Sequence, residues 1–426
     1  MRYVAVTLMF AFAFGAAFLA PPDPAQPGQA PGTAEPPVAI CPVVEVGDQS
    51  TNISVLSSVN GEGRMSTFAA GGETGSLDFR TGISGAVTIA AEDASGVGIT
   101  GALIEMPSER TAAASVMAGP ESRAAESCAD IPTGQAFISG GSTARGSGFE
   151  IQLINPYAGD ATVDLTVTTE AGIESNDRFN SVIVPALSSI PLNLSNIIPG
   201  RERISANIET TRGSVLAFGR QVTDGEVALW RAVEPGEDWW LPVPPGGGIK
   251  QMIIATPEAG EIGYQVDLYG PDGLIEAHDE GVIEPRANVT VPLASITRQA
   301  VGLHVTTTGP VVPALRIDSP EGLAWTTASP VTAPVWLLPG ARSPRRGSGS
   351  LVVLNAGIEM ATVSIRTLAD ETIERNLEVN GEEVLVVNLG GANGYRVEAN
   401  GPIVAMWTSQ RDGAGSATIG IPLQDE

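Results

Sequence analysis

The chain has 426 residues with 23 basic and 48 acidic side chains, a net charge of −25 and a pI near 4.4. A surface of that sign repels phosphate backbones and anionic headgroups, which excludes nucleic acid as a partner. Two histidines and two cysteines are too few for His-rich or four-cysteine metal sites and iron–sulfur clusters, so no metal and no cofactor is expected.

Arg2 precedes an uncharged run from Val4 to Ala20, closed by Pro21-Pro22. Residues 1–20 fit a secretory signal peptide, with a basic start, an apolar middle and small residues from Gly15 to Ala17. They also fit an uncleaved N-terminal membrane anchor, because Pro21 disfavours cleavage after Ala20. Either way the rest is extracytoplasmic, membrane-anchored or secreted. Residues 21–40 follow as a proline-rich, extended tether.

Beyond the tether the chain repeats at intervals of about 96 residues. Trp230 and Trp325 lie in ALWRAVEP and LAWTTASP, and Trp240 and Trp336 open LPVPP and LLPGA. Arg-Gly-Ser-Gly occurs at Arg145–Gly148 and again at Arg346–Gly349. The series ETTRGSVLAF, TTTGPVVPAL and EANGPIVAMW has a faint first copy in GITGALIEM. Four degenerate modules follow, at 41–127, 128–235, 236–330 and 331–426.

In the first module, Ser108–Ser127 is alanine-rich and reads as a helix split at Pro120 or as strand; aligning AASVMAGP with LAWTTASP favours strand. The second module alternates clearly. FEIQLIN (Phe149–Asn155) ends at Pro156, and ATVDLTV puts Val163, Leu165 and Val167 on one face. Ser181–Leu194 reads as two short strands about Pro185, and Arg203–Thr210, Ser214–Val222 and Glu226–Val233 complete the set. In the fourth module, Asn380-Gly381 within Arg375–Leu389 is the strongest hairpin signal of the chain. Seven or eight short strands per module predict an all-β chain of four tandem immunoglobulin-like β-sandwiches. The alternative is a β-propeller of about eight blades, for which no half-period speaks.

Cys41 opens the first module and Cys128 the second, 87 residues apart. In an exported chain a disulfide is the expected state, contributing roughly 4 kcal/mol through loop closure. Strand parity tests it. Seven antiparallel strands leave a module's ends at opposite poles, whereas eight bring them to one pole, within reach of a bridge. The same bridge would fold the modules up rather than string them into a rod.

Catalytic chemistry finds little support. His278 lies in the acidic, turn-like EAHDEG and His304 on an alternating segment, GLHVTTTG; no G-x-S-x-G elbow occurs. PPGGGIK, ending at Lys250, lacks the phosphate-loop spacing and matches the turns of the repeat. Two features are candidates for a ligand surface. Trp239 and Trp240 suit stacking on a sugar ring, although repeated tryptophans more often fill cores and joints. Arg342, Arg345 and Arg346 form the one dense basic patch, suited to anionic wall polymers but equally to an exposed turn.

The patterns SGFEIQLINPYAGDATVDLTV, SVIVPALSSIPLNL and ETTRGSVLAF resemble the domain of unknown function 5719 family. Its members are exported, N-terminally anchored actinobacterial proteins. The likeness spans roughly Cys41 to Leu423 and implies compartment and fold, with no activity or catalytic residue to carry over. The reading is a non-catalytic envelope protein that scaffolds or binds, its partner a cell-wall polymer or an envelope protein. The alternative is a polysaccharide-acting enzyme with a carboxylate pair in an inter-module cleft.

Overall fold

The computed structural model describes residues 38–46, 49–82, 85–94, 98–118, 123–129, 134–270, 273–293, 299–319, 322–340, 349–367, 373–389, 394–411 and 414–423. The expected signal or anchor, residues 21–37 of the tether and Arg342, Arg345 and Arg346 lie outside them, whereas residues 38–40, expected as tether, belong to the first strand.

The described backbone is built from strands, with no α-helix among the described residues, in four repeats of one eight-stranded sandwich. In module 1 the strands are Val38–Pro42, Asn52–Ser57, Gly61–Ala69, Gly72–Thr81, Ala86–Ala90, Gly101–Glu105, Thr111–Ala118 and Arg123–Ser127. The first, sixth, third and fourth make one sheet; the eighth, seventh, second and fifth make the other. Modules 2, 3 and 4 repeat this order. In modules 3 and 4 the sixth and seventh strands are continuous, Val301–Ser319 and Gly394–Arg411, and cross from sheet to sheet at Gly309-Pro310 and Gly401-Pro402. Immunoglobulin domains keep their first two strands in one sheet, so the likeness is one of architecture and not of strand order. The propeller alternative fails, because each repeating unit is a two-sheet sandwich and not a single-sheet blade.

Alternation builds each core. Val163, Leu165 and Val167 point inward and are buried, while Thr162, Asp164 and Thr166 between them face outward. Ser108–Ser127 is strand, as Thr111–Ala118 and Arg123–Ser127. Three expectations are corrected. GITGALIEM holds only a sixth strand, Gly101–Glu105, and the matching seventh is the alanine-rich one. Asn380-Gly381 closes no hairpin: Ile373–Val379 pairs with Ala361–Arg366, and Val384–Leu389 with Gly349–Asn355 in the opposite sheet. The segment around His278 is strand, within Gly273–Ile283.

A buried asparagine explains the Asn-Gly corner. Asn355 donates from Nδ2 to the carbonyls of Glu359, Val379 and Asn380 at 2.8, 3.2 and 3.0 Å, and its Oδ1 accepts from the Gly357 N–H at 3.0 Å. Its amide thus ties the turn after the second strand to the sheet-crossing corner. Asn155 does the same in module 2, through Gly159, Val184, Pro185 and Tyr157. Asn355→Ala strands several buried polar groups and is expected to cost about 3 kcal/mol. Denaturant unfolding checks it; a loss below about 0.5 kcal/mol, the range of ordinary surface changes, would remove Asn355 from this role.

The four sandwiches close into a ring. Gly101, Gly302 and Gly394, on the sixth strands of modules 1, 3 and 4, lie against Ile154, Leu354 and Leu56, on the second strands of the next modules, with module 1 following module 4. Gly140 in module 2 lies against Ile253 and Trp325 of module 3. A side chain at these positions would hold the sheets apart. The eighth strands, Arg123–Ser127, Glu226–Arg231, Gly322–Thr327 and Ala414–Ile419, gather around the axis, each touching the next, and the last touches the first. At that closing seam the Ser127 N–H donates to Thr418 Oγ1 at 3.2 Å and its hydroxyl to the Ile419 carbonyl at 2.6 Å. Ala124, Ala125 and Ala417 line the axis with Trp325 of module 3, which stacks on Trp230 at 4.7 Å. The small side chains of modules 1 and 4 thus leave room on the axis for Trp325.

Candidate functional site

Each first strand is held to the tail of its own eighth strand: Ile40 pairs with Ala129, Phe137 with Val233, Trp240 with Ser329 and Leu337 with Ile421. One residue further in, modules 2 to 4 pack a large apolar side chain near a small residue: Ile138 with Ala232, Leu241 with Ala328, Leu338 with Gly420. Hydrogen bonds from Ala232, Ala328 and Gly420 to Ala217, Pro313 and Ala405 fix the equivalence, and Cys128 makes the same bond to Ala113. Module 1 has Cys41 and Cys128 there, bridged, with Cα atoms 4.4 Å apart. Eight strands per module bring the two ends to one pole.

The tryptophan pair divides. Trp239 is fully buried, its indole N–H donating to the Gly236 carbonyl at 2.9 Å. Trp336 makes the matching bond to Ala333 at 3.0 Å, so Trp239, and not Trp240, is its repeat equivalent. With no ring face open, Trp239 leaves the ligand surface. Trp240 points to the opposite, outer face and is half-buried. It stacks on His304 at 3.8 Å and on Tyr269 at 5.8 Å, and Asp238 Oδ2 lies 3.2 Å from His304 Nε2. Burial, then the carboxylates of Glu382, Asp267 and Asp238, push the Tyr269 phenol up to about 12.

Beside this stack the same outer face of module 3 is hollow. Cross-strand register lines up Asp238, Thr306, Gln265 and Glu280 in one row across four strands. Gly263, Val282 and Thr308 continue the surface, which encloses a groove of about 550 Å³. No motif pointed to it, because register, and not sequence spacing, assembles it.

Other candidates have internal partners. Lys250 is buried, and its ammonium donates to the carbonyls of Pro244 and Gly246 at 2.6 and 3.2 Å. A phosphate loop presents N–H groups, and this loop presents carbonyls, so it is a structural turn. Glu126, on the eighth strand of module 1, is the most perturbed acid among the described residues: burial pushes it up to about 8, against the opposing charge of Arg231. The axial space between the eighth strands is too tight for a water molecule. Among the described residues, no three His, Cys, Asp or Glu side chains cluster as a metal site.

Fold and site define a β-sandwich repeat protein, with four pseudo-equivalent modules around a filled axis. The chain belongs to the family of unknown function DUF5719, which matches residues 103–318 and again 227–421; overlapping matches are what an internal repeat produces. No curated protein matches the chain. Among solved structures, the pilus backbone RrgB of Streptococcus pneumoniae is similar at 10% identity and a TM-score of 0.10, covering 48% of this chain and 80% of that one. E. coli alpha-2-macroglobulin in its native conformation is similar at 13% identity and a TM-score of 0.12, covering 93% of this chain and 30% of that one.

Proposed function

We propose that this protein is a non-catalytic, extracytoplasmic component of the cell envelope. In this reading a ring of sandwiches, held on the proline-rich tether, presents its outer sheet faces to a cell-wall polymer or an envelope protein. One observation carries it: the side chains with chemical potential are used to build the ring. Trp230 and Trp325 fill a joint, Trp239 a core, and Lys250 a turn. The disulfide supports an oxidising compartment. The N-terminal segment delivers the chain there, as a cleaved signal or as a membrane anchor. Among the described residues, the carboxyl most displaced from its ordinary value, Glu126, lies on the axis and not in a cleft, which speaks against the polysaccharide-acting enzyme.

The test is cosedimentation of the full-length, oxidised protein with purified cell-wall polymer, paired with crosslinking on intact cells. Saturable pelleting makes the polymer the partner. Crosslinks to a single protein without pelleting make that protein the partner. Neither outcome, or turnover of the polymer, defeats the proposal.

A further inference from the structure

We propose that the outer face of module 3 is a binding site for an uncharged sugar polymer, with Thr306, Gln265 and Glu280 as its floor. This names the ligand of the binding function above and rests on that reading.

The argument begins with the other three modules. On the same outer face, each joins polar side chains to one another. Module 1 pairs Arg64 with Asp78 at 3.9 Å, and Arg80 with Glu62. Module 2 joins Gln135 to Asn207 at 2.8 Å. Module 4 joins Arg366 and Arg396 to Glu398 at 3.4 and 2.6 Å, and Ser364 to Asn376 at 2.7 Å. Module 3 has no arginine on this row. Gly263, Thr306 and Thr308 leave the hollow, and Glu280 and Thr306 hydrogen-bond through their side chains to no other described residue. The other copies lay paired side chains across this face, whereas module 3 opens a groove whose polar groups point at solvent.

The lining identifies the occupant. Glu280 is the only charged residue among those that form the groove, so no ring of carboxylates converges on a cation. Asp267, in the neighbouring row, already accepts from Gln265 Nε2 at 2.8 Å and from the Ala277 N–H at 2.7 Å. What remains is one carboxylate, one amide carbonyl and threonine hydroxyls, beside an exposed Val282 and the half-buried ring of Tyr264. Sugar hydroxyls, which both donate and accept, match such a set, and a sugar's C–H face matches the apolar pair. With a chain charge of −25, an anionic polymer is repelled and an uncharged one is not. A volume of about 550 Å³ lies within the ordinary range of ligand sites. Trp240 stands one row away and serves as a built-in fluorescence reporter.

The experiment titrates the full-length oxidised protein with N-acetylhexosamine oligomers and follows tryptophan fluorescence, with polylysine and a polyuronate in parallel. Saturable binding of the neutral oligomer is expected. Glu280→Gln and Thr306→Arg are each expected to weaken it tenfold or more, the first by removing the charged acceptor and the second by filling the groove. Both positions are on the surface and without partners, so both variants fold. Asp78→Asn, on the matching face of module 1, is expected to change nothing. Wild-type affinity in both groove variants would overturn the site while leaving wall binding intact. Binding of polylysine alone, or of the polyuronate alone, would overturn the ligand class. Pelleting with wall polymer but no response to the sugar overturns this inference only; failure of both defeats the wall-binding reading as well.

Discussion

Replacing Cys41 and Cys128 together by alanine is expected to lower the unfolding free energy by about 4 kcal/mol. The bridge closes a loop of 87 residues, and its two cysteines are buried at 0% and 3% exposure. Its position gives it a second effect. Cys128 follows Ser127, whose amide and hydroxyl make the hydrogen bonds to Thr418 and Ile419 that close the ring. Three joints are crossed by continuous chain; the seam between modules 1 and 4 is not. Loss of the bridge therefore releases the end of the one strand that closes the circle. Hydrogen exchange in the double variant is expected to accelerate first at 123–127 and 414–419, before the cores of modules 2 and 3. Uniform loss of protection across all four modules, or a stability change under about 1 kcal/mol, would mean that the bridge does not latch the seam.

The sandwich was legible because its signals are local. Val163, Leu165 and Val167 alternate within one strand, and alternation is a property of consecutive residues. The pairing of Cys41 with Cys128 follows from there being two cysteines in a chain read as exported, and strand parity is the test of it. The ring was not legible, because the residues that close it have two sequence meanings. Gly101, Gly302 and Gly394 look like turn punctuation, and only the neighbouring module shows that they admit Ile154, Leu354 and Leu56. Ala124 and Ala125 are compatible with helix, yet their small size answers a tryptophan two modules away, Trp325. The tryptophan register slipped by one because two adjacent indoles occupy opposite faces of one strand. Asn380-Gly381 misled because this corner between sheets needs glycine for another reason, the Ile358 backbone lying where a Cβ would stand. The groove left no local trace, since its row is assembled from four strands.

Glu126→Gln is expected to stabilise the protein, increasingly so as pH rises. Glu126 is fully buried, its Oε2 has no hydrogen-bond partner among the described residues, and burial raises its pKa from 4.5 to about 8 despite Arg231. Between those two values the folded chain holds the proton and the unfolded chain releases it. The unfolded state thus binds fewer protons, and stability falls with rising pH by about 1.4 kcal/mol per unit. The contribution is fully present below pH 4.5 and exhausted above pH 8. Glutamine keeps the shape without the proton, so the two proteins are expected to match near pH 4.5. By pH 7 the variant should lead by about 3 kcal/mol. The other acidic residues impose their own pH dependence on both proteins alike, so the difference between the two unfolding curves is what isolates Glu126. Parallel curves from acid to neutral pH would show that the carboxyl is ionised in the fold, its charge met by Arg231. A gap that widens with pH instead makes the axis of the ring a buried acid, which weakens the closing seam as the surroundings become alkaline.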